Sequence, residues 1–390
     1  MYKAEEITTV HLEVTERCNA SCPQCARNLN GGEVNPQLHD AELSLDDVKK
    51  ILKPEFIKQL KRLYMCGNYG DPISARDTLE IFEYIRSNNA KMQLSFHTNA
   101  SAKTPEWWSQ LPAAMGKSHY VVFSVDGLED TNHLYRQGTV WKKIMENAQA
   151  FIQAGGRARW DYIVFGHNEH QVEEARALAE SMGFEKFNVK KSNRFFSNTR
   201  GAVKTEHQAG NRKGVATTLL SMPTNPAYQN AALKQLESLS TDKDTTPIDF
   251  MTTVVELEGK LAPQKFNTDP AFKKDMEKYW DTVEVKCKVA EEKSIYITAE
   301  GYLQPCCWTA GQMYVWYWKQ RGGQIWKAID EAGLDTLDVK NNDLVDVING
   351  RYIQQIIPDS WNKSSCAEGK LAVCAKTCGT KYDAFKEQFK

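Results

Sequence analysis

Residues 9–25 read TVHLEVTERCNASCPQC, a short run of strand-forming residues followed at once by three closely spaced cysteines. The run over 9–14 is rich in residues that favour extended structure and predicts a β-strand. Cys18, Cys22 and Cys25 then fall at C-x3-C-x2-C spacing in the loop after that strand. We therefore expect three thiolates at the carboxyl end of the first strand.

Three thiolates in one loop favour a particular kind of metal site. Each can bind one iron of a four-iron cluster, which leaves the fourth iron open to a further ligand. A structural zinc site instead takes a closed set of four protein ligands. The first cysteine group thus indicates an iron–sulfur cluster with an open iron, and a zinc knuckle that borrows a distant fourth ligand is the alternative.

The alternation of strand and helix patterns continues to about residue 191. Predicted strands cover 9–14, 62–66, 92–97, 119–125, 158–165 and 186–191. Predicted helices lie between them at 45–53, 75–88, 104–114, 139–154 and 168–182. Ser44 and Asp47 form a capping pair at the start of the first helix. Six strand–helix repeats predict an α/β fold, with a parallel sheet covered by helices.

Length and charge limit the classes of partner. The chain has 390 residues, of which 41% are hydrophobic, enough for one large domain and a smaller one. Its 49 basic and 50 acidic residues give a formal net charge of −1, so no global positive field favours nucleic acid. The N-terminus lacks a signal-peptide pattern, and no apolar run approaches the roughly 20 residues that span a bilayer. We expect a cytoplasmic protein with no membrane or nucleic-acid partner.

Nine of the ten cysteines fall in two groups, at 18–25 and 287–378. In a long chain without an export signal, such thiols suit metal binding better than disulfides. Residues 197–268 are rich in polar residues and lack clear periodicity, although helices are predicted at 229–239 and around Phe272, Met276 and Trp280. We predict three parts, namely a barrel domain at 1–196, an insertion or linker with helices at 197–280, and a second cysteine-bearing domain at 281–390.

These features resemble the radical S-adenosylmethionine superfamily, in which this cysteine spacing follows the first strand of a partial parallel (β/α)6 barrel. The resemblance implies a 4Fe–4S cluster on Cys18, Cys22 and Cys25, with its open iron chelated by the methionine part of S-adenosylmethionine. It further implies reductive cleavage to methionine and a 5′-deoxyadenosyl radical, which abstracts hydrogen from a substrate. One departure is Gln24, which stands where the family usually has an apolar or aromatic residue.

The ends of later strands also resemble cofactor-binding motifs of the family. Strand two runs into a segment similar to the GGEP-type motif, whose exposed backbone receives the methionine ammonium; it comprises Gly67, Asn68, Tyr69, Gly70, Asp71 and Pro72. An ordinary turn is the alternative for this segment. Thr98 and Asn99 end strand three in the place of the family's T-N-G.

Strand four runs into Ser124-Val125-Asp126-Gly127, similar to the S-x-D-G of the branch that carries an extra cysteine-rich domain. Ser124 and Asp126 project from one face of the strand, and both can bond a ribose hydroxyl. Arg136 matches an arginine of that branch and could pair with the methionine carboxylate, or it could be a surface arginine. Asn168 follows strand five, where the family often has N-E, and could equally cap the next helix.

In the second cysteine group, thirteen residues separate Cys287 from Gly301, and four separate Gly301 from Cys306. The segment around Gly301 predicts a β-hairpin that turns at Glu300-Gly301. This resembles a shortened SPASM/twitch auxiliary-cluster domain. Two complete clusters would need eight cysteines and the region has six, so the resemblance implies one auxiliary 4Fe–4S cluster. Its ligands would be Cys287, Cys306 and Cys378, with Cys374, Cys366 or Cys307 as the fourth. A zinc site is the alternative.

The resemblance implies an oxidoreductase that draws electrons from a donor such as flavodoxin or ferredoxin. Relatives of this type oxidise or crosslink peptides and proteins, and others dehydrogenate or epimerise small molecules such as sugars or aminocyclitols. The short stretch before Cys18 leads us to expect no leader-peptide-binding domain there. Lys190, Lys191 and Arg194 could favour an anionic substrate group or form a solvated charge run. A non-catalytic metal scaffold that uses the aromatic stretch 314–318 as a partner surface is a further alternative.

Overall fold

The computed structural model describes residues 1–197, 202–203, 206–213, 215–231, 278, 280–315 and 322–379. A sheet of eight strands forms its centre. Six neighbouring strands are parallel and follow chain order: β1 Thr9–Leu12, β2 Arg62–Met65, β3 Gln93–Thr98, β4 His119–Ser124, β5 Ala158–Val164 and β6 Lys186–Lys191. The parallel α/β sheet predicted from the strand–helix alternation is confirmed.

The helices between these strands are α1 Leu45–Ile51, α2 Pro54–Gln59, α3 Thr78–Asn88, α4 Pro105–Met115, α5 Asn132–Tyr135, α6 Trp141–Gln153 and α7 Val172–Met182, with short 3₁₀ helices at Ala4–Glu6, Pro72–Ser74 and Glu169–Gln171. All the α-helices lie close to the predicted ranges except the short helices α2 and α5, which the sequence did not predict. The predicted capping pair is present, since the Ser44 hydroxyl accepts from the Asp47 N–H at 3.1 Å. Gly183 ends α7 with a φ of +90°, a conformation that glycine adopts without strain.

Aromatic packing between the sheet and the helices holds this layer together. Phe96 and Phe123, from neighbouring strands, contact Trp108 of α4 with ring centroids 6.1 and 5.4 Å away. All three side chains are fully buried. Burial of each contributes about 1.5–3 kcal/mol, so the strands form a rigid frame. We therefore expect the residues of a functional site in the loops at the strand ends.

The region predicted as an insertion contains two antiparallel hairpins among its described residues. β7 Phe196–Ser197 pairs with β8 Ala202–Val203, and β9 Glu206–Gly210 pairs with β10 Ala216–Ser221, which is followed by a 3₁₀ helix at Pro226–Tyr228. The helix predicted at 229–239 lies outside the described residues beyond position 231, as do Phe272 and Met276 of the other predicted helix. Trp280 is buried.

The C-terminal part contains the predicted hairpin. β11 Ser294–Ile297 and β12 Leu303–Gln304 pair antiparallel across a turn in which Gly301 has a φ of +96°. The remaining helices are α8 Lys288–Glu291, α9 Cys307–Gly311, α10 Gln324–Ala332, α11 Leu344–Asn349, α12 Ile357–Trp361 and α13 Ala372–Cys378, with a 3₁₀ helix at Leu334–Leu337 and a π-helix at Tyr352–Ile356.

This hairpin continues the barrel sheet. β11 pairs parallel with β1, in register from Thr9 opposite Ser294 to Leu12 opposite Ile297, so the sheet order is β12-β11-β1-β2-β3-β4-β5-β6. The second cysteine group is thereby attached beside the strand that leads into the first. No helix among the described residues has the length and apolar composition needed to cross a membrane.

Candidate active site

A cavity of ≈ 320 Å³ opens at the carboxyl ends of the parallel strands. Active sites of parallel α/β barrels lie at this end, because the loops of several strands converge there. Twelve predicted site residues line it: Cys18, Cys22, Cys25, Gly67, Asn68, Tyr69, Gly70, Asp71, Thr98, Asn99, Ser124 and Arg136. The structure therefore brings the cysteine loop and the motifs of strands two, three and four to one space.

The β9–β10 hairpin packs against the cysteine loop. The Gly210 N–H donates to the Asn30 carbonyl at 2.8 Å, and the Arg212 guanidinium donates to the Asn19 carbonyl. Apolar residues of the hairpin pack around the buried Cys22. This hairpin holds a loop whose own sequence contains few core residues, and nothing in the polar composition of the region indicated that role.

The surroundings of the three thiols fit an iron–sulfur cluster. The Asn99 amide lies 3.6 Å from the Cys18 sulfur, and the Arg136 guanidinium lies 3.8 Å from the Cys22 sulfur. Such donors stabilise the negative charge of cluster-bound sulfur. Among the described residues, no three His, Cys, Asp or Glu side chains converge as ligands of one metal ion. A four-iron cluster differs from that case because each thiolate binds its own iron.

Glu13 organises the loop that follows strand two. Its Oε1 accepts the backbone N–H groups of Tyr69 at 2.7 Å and Gly70 at 3.2 Å, and its other oxygen accepts from the Tyr296 hydroxyl. Burial raises the pKa of Glu13 to about 7, against the lowering effect of these hydrogen bonds. Glu13, which directly follows β1, thus holds the backbone of the GGEP-like loop in place and connects this loop to β11 through Tyr296.

Gly70 is required by the close approach of two backbones. A Cβ atom there would lie 1.8 Å from the Thr15 carbonyl oxygen, which belongs to the loop after β1. We expect Gly70→Ala to lower the free energy of unfolding by about 1–3 kcal/mol, the usual cost of overpacking, and chemical denaturation measures it. Gly311→Ala is the matched control, since its Cβ would meet only the Tyr69 hydroxyl at 3.8 Å. Equal stability of the two variants would contradict the proposed crowding.

Asp71 joins the same loop to the end of strand three. Its Oδ2 accepts from the Thr98 hydroxyl at 3.1 Å and from the Asn99 N–H at 2.7 Å. Burial raises the pKa of Asp71 to about 6. Asp71, Thr98 and Asn99 therefore form one hydrogen-bonded unit that shapes the cavity wall.

Ser124 and Arg136 line the cavity, whereas Asp126 and Asn168 lie behind its wall. Asp126 is fully buried, and its carboxylate accepts from Arg136 Nε at 2.5 Å and from the Ile163 N–H at 2.6 Å. The Asn168 amide donates to the Asp126 carbonyl at 2.9 Å. The position of Asp126 thus orients Arg136, and Asn168 joins the ends of β4 and β5.

We expect Asp126→Asn to destabilise the fold. It removes the charge that compensates the Arg136 guanidinium, whose side chain is only 16% exposed. A buried charge that loses its partner costs about 3–5 kcal/mol, which thermal or chemical unfolding measures. Glu331→Gln, at the exposed pair with Arg351, is the control and should cost less than about 1 kcal/mol. Unchanged stability of Asp126→Asn would show that Arg136 does not depend on this carboxylate.

Polar side chains form the barrel side of the cavity. Lys190 Nζ lies 3.3 Å from Asp161 Oδ2, and burial lowers the pKa of His97 to about 4, so the imidazole is neutral at pH 7. Lys190 and Arg194 line the cavity and Lys191 does not. The lining suits a hydrophilic group, with the charge of Lys190 already compensated by Asp161.

Four thiols of the second cysteine group surround a small enclosed space that α9 also lines. The thiols that line it are Cys287, Cys306, Cys374 and Cys378. Cys366 lies outside it, with its N–H donating to Asp281 and its carbonyl accepting from Gln324. Cys307 also lies outside it.

The donor set and its lining fit a four-thiolate metal group. Trp361 also lines this space, and its buried indole N–H has no partner of ordinary hydrogen-bond geometry among the described residues. Burial raises the pKa of the neighbouring Cys374 thiol, and this N–H acts in the opposite direction. An N–H beside a cysteine sulfur is a typical donor to a metal-bound thiolate or sulfide.

Direct contacts join the two cysteine sites. The Asn68 amide, in the loop that lines the first site, donates to the Cys307 carbonyl at 2.8 Å. The Tyr69 hydroxyl donates to the Gly311 carbonyl at 3.1 Å. The GGEP-like loop is therefore packed directly against α9, the helix that starts beside Cys306.

Comparison with known proteins found a family model and solved structures that are similar to this chain. Residues 12–179 match the family model described as the Radical SAM superfamily. Streptococcus suis SuiB bound to S-adenosylmethionine is similar at TM-score 0.51 and 15% identity, over 95% of this chain and 71% of that one. SuiB bound to precursor peptide SuiA has a TM-score of 0.50 and 14% identity, over 95% of this chain and 72% of that one. Native anSMEcpe with bound AdoMet has a TM-score of 0.48 and 12% identity, over 98% of this chain and 96% of that one. No curated protein sequence matches the chain.

Proposed function

We propose that this chain, which carries a radical SAM domain over residues 12–179, binds a 4Fe–4S cluster on Cys18, Cys22 and Cys25 and cleaves S-adenosylmethionine reductively. The observation that carries the proposal is the convergence of the three thiols and the GGEP-like loop on one cavity at the strand ends. When bound, the cluster supplies the electron that breaks the C5′–S bond, giving methionine and a 5′-deoxyadenosyl radical.

The residues around the cavity have distinct proposed roles. The backbone of the loop that Glu13 fixes receives the methionine ammonium, because this loop lines the cavity together with the three thiols. Gly67 and Gly70 allow the close backbone packing that shapes the loop. Arg136, oriented by Asp126, offers its remaining N–H groups to the methionine carboxylate. Ser124 at the end of β4 bonds a ribose hydroxyl.

We also propose one auxiliary 4Fe–4S cluster. Its ligands would be the four thiols that share a space, Cys287, Cys306, Cys374 and Cys378. Of the three residues considered for the fourth ligand, only Cys374 lines that space. The indole N–H of Trp361 would donate to a cluster sulfur.

Iron content tests both metal sites together. Anaerobic reconstitution should give about eight irons per chain, because two four-iron clusters are proposed. Iron and zinc are measured on the same sample by elemental analysis. About four irons with one zinc would contradict the auxiliary assignment and leave the first site intact.

The proposed reaction is oxidation or crosslinking of a peptide or protein, with radical dehydrogenation or epimerisation of a small molecule as the alternative. The likeness in fold to SuiB, which was solved with its precursor peptide, supports the first. The polar lining around Lys190 and His97, with Asp161 paired to Lys190, would also accept a small hydrophilic substrate. An external donor such as flavodoxin or ferredoxin would supply the electron, and a reducing cytoplasmic location suits ten free cysteines.

The deciding experiment incubates reduced, cluster-replete protein with S-adenosylmethionine and measures 5′-deoxyadenosine. Its formation is expected, and a non-catalytic scaffold would form none. Residues 316–318 of the aromatic stretch considered for such a scaffold lie outside the described residues, while Tyr314 is buried. Adding short peptides encoded beside the gene and following their mass then distinguishes peptide from small-molecule chemistry.

A further inference from the structure

Trp361 ends a helix of unusual geometry. Tyr352–Ile356 form a π-helix, which continues directly as α12, Ile357–Trp361. The extra residue in a π-helical turn changes which side chains face a given direction, and such turns occur frequently at functional sites. Ile357 and Trp361 are four residues apart, so they share one face of the helix. Both line the space that is surrounded by the thiols of Cys287, Cys306, Cys374 and Cys378.

The indole N–H of Trp361 is a buried hydrogen-bond donor in the wall of this space. No partner of ordinary hydrogen-bond geometry lies beside it among the described residues. A buried donor that lacks a partner is costly, so the protein gains from an acceptor that the site supplies when it is loaded. Since four thiols share the same wall, this acceptor is a thiolate or sulfide of the metal group.

Much of the remaining lining is apolar. Its aliphatic members are Val285, Pro305, Ile357 and Val373. The Thr309 hydroxyl donates to the Cys306 carbonyl at 2.8 Å, so its proton is already used. In apolar surroundings an N–H group has a larger electrostatic effect than in water. A single indole N–H can therefore change the relative stability of two charge states of a group in this space.

We propose that Trp361 raises the reduction potential of the auxiliary cluster by donating its indole N–H to a cluster-bound sulfur. Reduction adds one negative charge, so the donor stabilises the reduced form more than the oxidised form. Hydrogen bonds to sulfur are among the factors that set the potentials of such clusters. The inference rests on the proposed auxiliary cluster and adds a residue that tunes it.

A raised potential suits a cluster that accepts an electron from a substrate radical. Hydrogen abstraction removes one electron and one proton from the substrate. One further electron then passes to the cluster while one further proton leaves to water, and the product is two electrons more oxidised than the substrate. Of the two roles considered for the auxiliary cluster, the Trp361 N–H favours electron acceptance over substrate positioning.

Redox titration of the auxiliary cluster alone tests this without any turnover. The full chain with Cys18, Cys22 and Cys25 replaced by Ala is reconstituted anaerobically, and EPR follows the reduced cluster as the potential is lowered. In this background Trp361→Phe should lower the equilibrium constant for reduction about tenfold, which is about 59 mV for a one-electron couple. Trp308→Phe is the matched control, because Trp308 lines the same space and its replacement leaves the Trp361 N–H in place.

Pulsed EPR detects the hydrogen bond directly and does not depend on the stability of the Trp361 variant. The reduced protein with native Trp361 is labelled with ¹⁵N in its tryptophan indoles, and we expect a ¹⁵N coupling to the cluster. The coupling should persist in Trp308→Phe and disappear in Trp361→Phe. An iron content of about four per chain and a melting curve accompany each sample.

Three results would overturn the inference. They are an unchanged potential in Trp361→Phe, a higher potential in that variant, and the absence of ¹⁵N coupling when Trp361 is present. A higher potential would show that the ring acts by excluding water. The second cluster is present in all three cases, so the proposed auxiliary site stands. One zinc and no reducible cluster at this site would instead overturn the auxiliary part of the proposed function, and this inference with it.

Discussion

Replacing Cys18, Cys22 and Cys25 together by Ala should reduce 5′-deoxyadenosine formation to the level of a protein-free control. The three thiols line the cavity at the strand ends, and they are the proposed ligands of the cluster that supplies the electron. Without them, no reductant of sufficient strength is held beside the sulfonium. Product formation from S-adenosylmethionine and dithionite, followed by chromatography and mass spectrometry, measures the effect.

Iron content of the same variant separates the two sites. It should fall from about eight to about four per chain, because the second cysteine group lies on different elements. Cys366→Ala is the matched control: this buried cysteine lines neither cavity and should keep the full iron content and normal cleavage. Residual cleavage by the triple variant would refute the catalytic assignment, and iron loss in the control would place Cys366 among the ligands.

Local sequence patterns predicted the barrel sheet correctly because each strand and helix is specified by its own residues. The strand over 9–14 and the capping pair Ser44–Asp47 needed no information from distant parts of the chain. The same holds for the hairpin that turns at Glu300-Gly301. The prediction could not state that β11 joins β1, because that pairing links residues almost 300 positions apart.

The residues that the sequence did not single out act through such distant contacts. Glu13 reads as an ordinary polar position after a strand, yet it binds the backbone of residues 69 and 70. No local sequence pattern marks Glu13 as a buried carboxyl group. The same holds for Thr15, whose carbonyl oxygen approaches Gly70. Asp126 shows the converse, since its motif predicted a ligand contact and the fold surrounds it with Arg136 and Ile163.

The same limit applies to the fourth auxiliary ligand. Spacing alone leaves Cys307, Cys366 and Cys374 equivalent. The fold separates them because α13 carries Cys374 and Cys378 on one helix, one turn apart, so both reach the same space. Cys307 instead starts α9 and does not line that space.

A Cys306→Ala, Cys378→Ala double variant should still cleave S-adenosylmethionine and should fail to convert substrate. The two replaced thiols lie in the auxiliary site and outside the first cavity. The Asn68 contact to that region uses the backbone carbonyl of Cys307, which side-chain replacement leaves in place. Cleavage within a few fold of the wild type, with no substrate turnover, is the expected result. The proposed auxiliary cluster takes the substrate electron or holds the substrate, and reactive geometry tolerates little displacement.

Folding of the double variant must be established in the same experiment, because metal-binding free energy can be folding free energy. A circular-dichroism melt and an iron content of about four show whether the barrel and first cluster persist. Two outcomes in a folded variant would contradict the division of roles. Normal turnover would make the auxiliary site structural and leave substrate handling to the cavity around Lys190 and Arg194. Loss of cleavage would show that the contact between Asn68 and Cys307 makes the first site depend on the second.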